Sequence, residues 1–115
     1  MRFKSALLQK TAALPEFLYH GTTASAVEEI LREGVHAPSY WSTEPVAHGF
    51  AELNEEPGVV LRVPTQRFVV RNLTKVKRLL PGNIPHNTKD IRVWVYGGQS
   101  VRVLPADVTP IKADT

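Results

Sequence analysis

Four histidines, His20, His36, His48 and His86, are the first side chains of this 115-residue chain to test for chemistry. No two of them stand at a helical metal-ligand spacing and no carboxylate cluster accompanies them, so no zinc-type site is expected. The chain has no cysteine, which excludes disulfides, thiolate metal sites, iron–sulfur ligation and cysteine nucleophiles. No serine stands in a G-x-S-x-G elbow. Neither G-x-G-x-x-G nor G-x-x-x-x-G-K-[ST] occurs, which excludes the Rossmann and P-loop phosphate cradles. What remains is an ordered set: Leu18-Tyr19-His20-Gly21-Thr22-Thr23, then a helical segment, Gly34-Val35, Tyr40-Trp41-Ser42-Thr43 and Ala47-His48-Gly49-Phe50-Ala51. These types suit ligand binding. An imidazole at a strand end can aim one ring nitrogen at a hydroxyl, and a glycine lets the main chain approach a flat ligand without a Cβ in the way.

The elements that must position this set follow from pattern and punctuation. Glu16-Phe17-Leu18-Tyr19-His20 reads as an aromatic-rich strand entering a turn at Gly21. Ser25 and Glu28 stand at capping-box spacing, Val27, Ile30 and Leu31 recur at i, i+3 and i+4, and Gly34 supplies a stop, which predicts a helix over 24–33. Ser39-Tyr40-Trp41-Ser42 reads as a second short strand. Thr43-Glu44-Pro45 then opens a helix over 45–53. From Gly58 onward β-branched runs at 59–63, 67–70, 91–96 and 100–104 predict strands, the last two joined as a hairpin by Gly97-Gly98-Gln99. Leu79 to Asn87 reads as a loop, long enough to suggest function. Residues 1–15, closed by Pro15, read as an arm or short helix, followed by one domain over 16–115. The order implies an α+β fold with antiparallel sheets and two short helices in the amino-terminal half.

A composition of 43% hydrophobic and 22% charged residues is that of an ordinary globular domain. Its apolar runs of four or five residues are far short of the roughly 20 that span a bilayer. The amino terminus lacks the compact apolar stretch of a secretory signal, so a cytoplasmic protein is expected, with no membrane partner. The net charge of +3 is unevenly spread: residues 1–57 sum to −4 and residues 58–115 to +7. A basic half of this kind attracts phosphates or a nucleic-acid backbone, while a solvated basic face without a polyanion is about as common.

Over residues 17–63 the ordered set resembles the ADP-ribosyltransferase superfamily, in its diphtheria-toxin and poly(ADP-ribose)-polymerase-like branch. That branch has a strand ending in Tyr-His-Gly-Thr or Ser, a helix ended by Gly, a strand with a Tyr, and a helix bearing an aromatic residue. The resemblance implies split antiparallel sheets and NAD+ as substrate. His20 then matches the histidine that bonds the adenosine ribose, and Gly21 the glycine whose backbone holds the nicotinamide carboxamide. Thr22 is implied as a neighbouring hydroxyl partner. Tyr40 matches the tyrosine that packs on the nicotinamide ring, with Phe50 as a second aromatic wall for a flat cationic ring. Ser42 and Thr43 support the strand end and cap the next helix.

The family's third element is a glutamate on a late strand, which binds the nicotinamide ribose and stabilises developing positive charge as nicotinamide leaves. Gln99 aligns with it here, and a shift of one pair puts Val101 there. Gln keeps a hydrogen bond and loses the charge, a change that typically costs on the order of 100- to 1,000-fold in rate. Glu52, Glu55, Glu56 and Asp90 are the other acids weighed for that role. Transfer of ADP-ribose to a macromolecule, protein or nucleic acid, as in bacterial or phage-encoded modifiers, is the expected activity. A catalytically inactive protein of the same fold that works by binding is the alternative. An NAD-dependent RNA 2′-phosphotransferase shares the His-Gly-Thr strand but carries an additional amino-terminal domain with arginines for the phosphate, which the 15 residues before Glu16 do not supply. Trp94 and Tyr96 are read as structural, and His36, His48 and His86 as surface or loop histidines.

Overall fold

The computed structural model describes residues 14–53, 56–77, 80–85 and 87–110. The arm expected over 1–15 lies outside them except for Leu14 and Pro15, as do Glu55 and His86. Leu18, buried among the core residues, anchors strand β1, Phe17–Thr23. A 3-10 turn at Ala24–Ala26 leads into helix α1, Val27–Glu33. Strand β2, Ser39–Ser42, and helix α2, Glu44–Glu52, follow. Strands β3, Gly58–Pro64, β4, Leu73–Val76, β5, Val93–Tyr96, and β6, Val108–Pro110, complete an antiparallel sheet in the order β4-β5-β2-β1-β3-β6. The fold is α+β. Among the described residues no helix is long and apolar enough to cross a membrane.

The sheet is continuous through one link only. Strands β1 and β3 pair over seven residues and β2 and β5 over four, whereas β1 and β2 meet at the single pair Tyr19↔Ser42. Two three-stranded halves, β4-β5-β2 and β1-β3-β6, therefore diverge from that point. The core lies against one face, where Leu18, Trp41, Leu61, Val63, Phe68, Leu73, Trp94 and Tyr96 form one buried cluster. A chain of ring contacts runs through it, with Trp41 to Phe68 at 4.9 Å and Phe68 to Tyr96 at 5.1 Å, both edge to face.

Helix α2 covers the other face at close range. A Cβ added at Gly21 would lie 2.2 Å from the Ala47 carbonyl oxygen, and one at Gly58 2.5 Å from that of Ala51. The two glycines thus let the helix backbone rest on β1 and β3, and Ala47, Ala51 and Val60 close the contact. Gly34 ends α1 at φ +81°, as its stop position required.

Several expected elements differ. Gly21 does not begin a turn: β1 continues through it to Thr23, opposite Val60 and Gly58. Ser25 does not close a capping box, because its hydroxyl donates to Glu56 Oε2 at 2.6 Å. Thr43 stands at the start of α2 as expected, but its hydroxyl donates to the Asp90 carbonyl. The run 67–70 is not a strand. Phe68 instead wedges its ring into the core between two 3-10 turns, and the Val69 N–H donates to the Tyr96 hydroxyl at 3.1 Å. The hairpin at Gly97-Gly98-Gln99 is absent, since both edges of β5 are already occupied by β2 and β4. Val101 pairs across the core edge with Val35 instead, each N–H meeting the other's carbonyl at 2.9 Å.

Candidate functional site

The divergence of β1 from β2 exposes peptide groups. In an antiparallel ladder alternate residues turn both N–H and C=O to the same neighbour. Ala24 N–H donates to the Pro57 carbonyl and Thr65 N–H to the Glu16 carbonyl, both at 2.9 Å and both in register with the β1–β3 pairs. The even-numbered residues of β1 thus bond β3, and Tyr19, Gly21 and Thr23 turn their peptide groups toward β2. Tyr19 meets Ser42 there. Gly21, paired with Val60 of β3 on its other side, has no register partner in β2, so its peptide group faces the notch where the two half-sheets diverge.

His20 closes one side of that notch. Its side chain lies on the core face, half-buried, with its ring 5.2 Å from that of Trp41. Nδ1–H donates to the Tyr40 carbonyl at 2.7 Å. This contact fixes the tautomer and leaves Nε2 as a lone-pair acceptor. Among the described residues no buried side-chain nitrogen or oxygen lacks a partner, and Nε2 has none, so it reaches solvent. Burial lowers the His20 pKa, and the bond to the Tyr40 carbonyl opposes that shift without reversing it. The neutral acceptor form therefore persists at neutral pH.

The sign for stability follows. Unfolded His20 takes up a proton near the usual value of about 6.5, and the folded ring does so only at lower pH. Between those two values the unfolded chain holds more protons, so stability falls as pH falls and is fully present above about pH 6.5. Urea unfolding from pH 7.5 to 5 is expected to show this loss in the wild type. The loss should be smaller in His20→Asn, which keeps an amide donor for Tyr40 and cannot titrate. Equal pH dependence in both would remove His20 as the cause.

Tyr40 presents its ring on the opposite face. It is 50% exposed, while its strand neighbours Ser39 and Trp41 are buried. Register places Tyr40 opposite Val95 and Val95 opposite Thr74, so these three form a row across β2, β5 and β4. Phe50 is half-buried on α2, on the flank between sheet-facing Ala47 and buried Val46. Thr22 lies on the His20 face, half-buried, opposite Val59. The Ser42 hydroxyl donates to the Thr43 carbonyl at 2.9 Å and reaches the Tyr19 carbonyl at 3.4 Å. It holds the junction of the half-sheets.

Gln99 is exposed in a bend after β5, because the late strand that was to carry it does not form. Of the other acids, Asp90 has φ +56° and is gripped by Arg92, and Glu52 pairs with His48. Glu56 is joined to the end of β1 through Ser25, whose hydroxyl lies 3.1 Å from that of Thr23. His36 is exposed and bonded to Glu33. The structure thus joins His20 to the Tyr40 carbonyl beside Gly21, with the His20 and Tyr40 rings on opposite faces of the sheet, and it leaves Gln99 in an exposed bend. The Tyr40 carbonyl and the Val95–Thr74 row were missing from the sequence reading, since strand pairing alone assigns them. No protein-family model, curated protein or solved structure matches the chain.

Proposed function

We propose that this protein, acting in the cytoplasm, binds NAD+ in the notch between β1 and β2 and transfers ADP-ribose to a macromolecule. The observation that carries the reading is the Gly21 peptide group, facing the divergence of β1 from β2, beside a neutral His20 whose Nδ1 is held by the Tyr40 carbonyl. A carboxamide needs one donor and one acceptor at fixed spacing, which a single extended peptide supplies. A ribose hydroxyl needs an acceptor such as Nε2, and a flat cationic ring suits the exposed face of Tyr40. In the transfer, the bond between the nicotinamide nitrogen and C1′ breaks and nicotinamide leaves neutral with that electron pair. An acceptor nucleophile forms the new bond to C1′ and releases its proton.

A second reading is nucleotide binding without transfer, and Gln99 favours it, since it is an amide in place of the carboxylate and stands in an exposed bend, not on a late strand. Nicotinamide release from NAD+, measured with and without cell lysate or nucleic acid, separates the two. Active transfer predicts release that falls at least about 10-fold in Tyr40→Ala, a loss within the range for a stacked cationic ring. NAD+ binding with no release in any mixture would leave the binding protein, and Gln99→Glu would then be the variant to test for gained hydrolysis. Neither binding nor release would remove the resemblance to ADP-ribosyltransferases altogether.

A further inference from the structure

Positive charge is concentrated in one stretch of the chain and one edge of the sheet. Residues 71–92 carry six Lys and Arg and a single carboxylate, Asp90, a sum of +5 in a chain of +3, whereas Arg67, just before them, is paired with Asp107. The stretch includes Arg71 just before β4, Lys75 within it, Lys77 just beyond it, and Lys89 before β5, all four exposed. Asp90 is paired chiefly with Arg92. Arg92 forks onto its carboxylate from Nε and a terminal nitrogen at 2.5 and 2.9 Å. That bonding, with the Arg92 and Lys75 charges, keeps the carboxyl below its ordinary pKa and paired. The Arg92 guanidinium in turn lies 5.3 Å from the centre of the Trp94 ring.

Among the described residues β4 is also the edge strand of the sheet. The Gly97 N–H donates to the Asn72 carbonyl at 3.1 Å, in register with the β4–β5 pairs. Even-numbered residues of β4 therefore bond β5, and Leu73 and Lys75 turn their peptide groups outward. Lys75 thus turns its N–H outward at the edge and carries its side chain on the Trp94 face, so a strand lying along the edge meets this cation from one face and Thr74 from the other. On the face of the sheet, exposed Thr74 begins the row that runs through Val95 to the exposed ring of Tyr40. Three adjacent strands span about 10 Å, the reach of a base projecting from a backbone on the edge.

We propose that the β4 edge docks single-stranded nucleic acid, with phosphates along Arg71, Lys75, Lys77 and Lys89 and a base laid over Thr74 and Val95 toward Tyr40. A positively charged track beside an exposed aromatic ring is the arrangement that holds single strands. A duplex is excluded from the row, because its bases are stacked and paired inside the helix. The docking stands on charge and register alone.

The test is fluorescence anisotropy of a fluorescein-labelled single strand of about 12 nucleotides, as RNA and as DNA, without NAD+. Four phosphate contacts predict a salt slope near −2.8, or about 50-fold weaker binding at 200 mM than at 50 mM salt. Lys75→Glu/Lys77→Glu should lose at least about 10-fold in affinity and make the slope shallower by about 1.4. Arg32→Glu/Arg102→Glu, the same charge change away from β4, should lose much less. Tyr40→Ala should weaken binding about 5- to 100-fold. Circular dichroism and melting establish that each variant is folded. No anisotropy change at 50 mM, equal losses in the two charge-reversed variants, unchanged affinity in Tyr40→Ala, or tighter binding of the matching duplex would each overturn the proposal. Single-strand binding without NAD+ binding would remove only the NAD+ reading, and the converse would remove only the docking surface.

Discussion

Gly21→Ala is expected to destabilise the fold by about 3 kcal/mol or more, at the upper end for overpacked contacts, and to lower the melting temperature by roughly 10–20 °C. The new Cβ would meet the Ala47 carbonyl oxygen at 2.2 Å and the Ala51 nitrogen at 2.9 Å. Both are helix backbone atoms, so no side chain can rotate away and α2 as a whole must retreat from β1. That retreat opens the contact of Ala47, Ala51 and Val60. Gly97→Ala is the matched control, since a Cβ there meets nothing within 4 Å, and surface changes of that kind fall within about 0.5 kcal/mol. Thermal unfolding of the two variants decides the matter. A Gly21→Ala protein that melts with the wild type would mean that α2 does not sit where described.

His20→Ala is expected to raise the Kd for NAD+ about 10- to 100-fold, measured by calorimetric titration. Two contacts are lost together. The ligand hydroxyl loses Nε2 as acceptor, and the Tyr40 carbonyl loses the Nδ1–H that ties β2 to β1 beyond their single strand pair. A lost hydrogen bond contributes about 0.5–1.5 kcal/mol, and a group left unsatisfied costs about 1–3 kcal/mol. His20→Asn, which keeps a donor for Tyr40, should recover part of the folding stability and little of the affinity. Equal affinity in the wild type and His20→Ala would place the nucleotide elsewhere on the surface.

The parts of this architecture written in local pattern were legible. Alternation with aromatic residues marked β1 and β2, the i, i+3, i+4 spacing with Gly34 marked α1, and Thr43-Glu44-Pro45 marked the start of α2. Pairing was not legible. Val69-Val70 has the β-branched look of a strand, but it follows a phenylalanine whose ring the core requires between Trp41 and Tyr96, and the chain turns to deliver it. Ser100 to Leu104 looks like the second arm of a hairpin. Its would-be partner β5 already has two neighbours, one of them β4, whose Leu73-Thr74-Lys75-Val76 is too short and polar to announce itself. The resemblance singled out Gly21 and Tyr40 without indicating that β1 continues through Gly21 or that the Tyr40 carbonyl bonds His20. The reason Gly21 must be glycine lay in tertiary contact with α2, which no local pattern encodes. Ser42 was expected to support the end of β2, and its hydroxyl does so at the junction where the half-sheets part.

An amide-resolved NMR titration of the protein with NAD+ reads the Gly21 peptide unit itself. Binding in the notch predicts that the Gly21 amide shifts progressively and saturates, with the His20 ring resonances and the Tyr40 amide moving at the same midpoint and the β6 amides unmoved. A Gly21 amide that stays in place at millimolar NAD+ would contradict the account, whatever else on the surface responds.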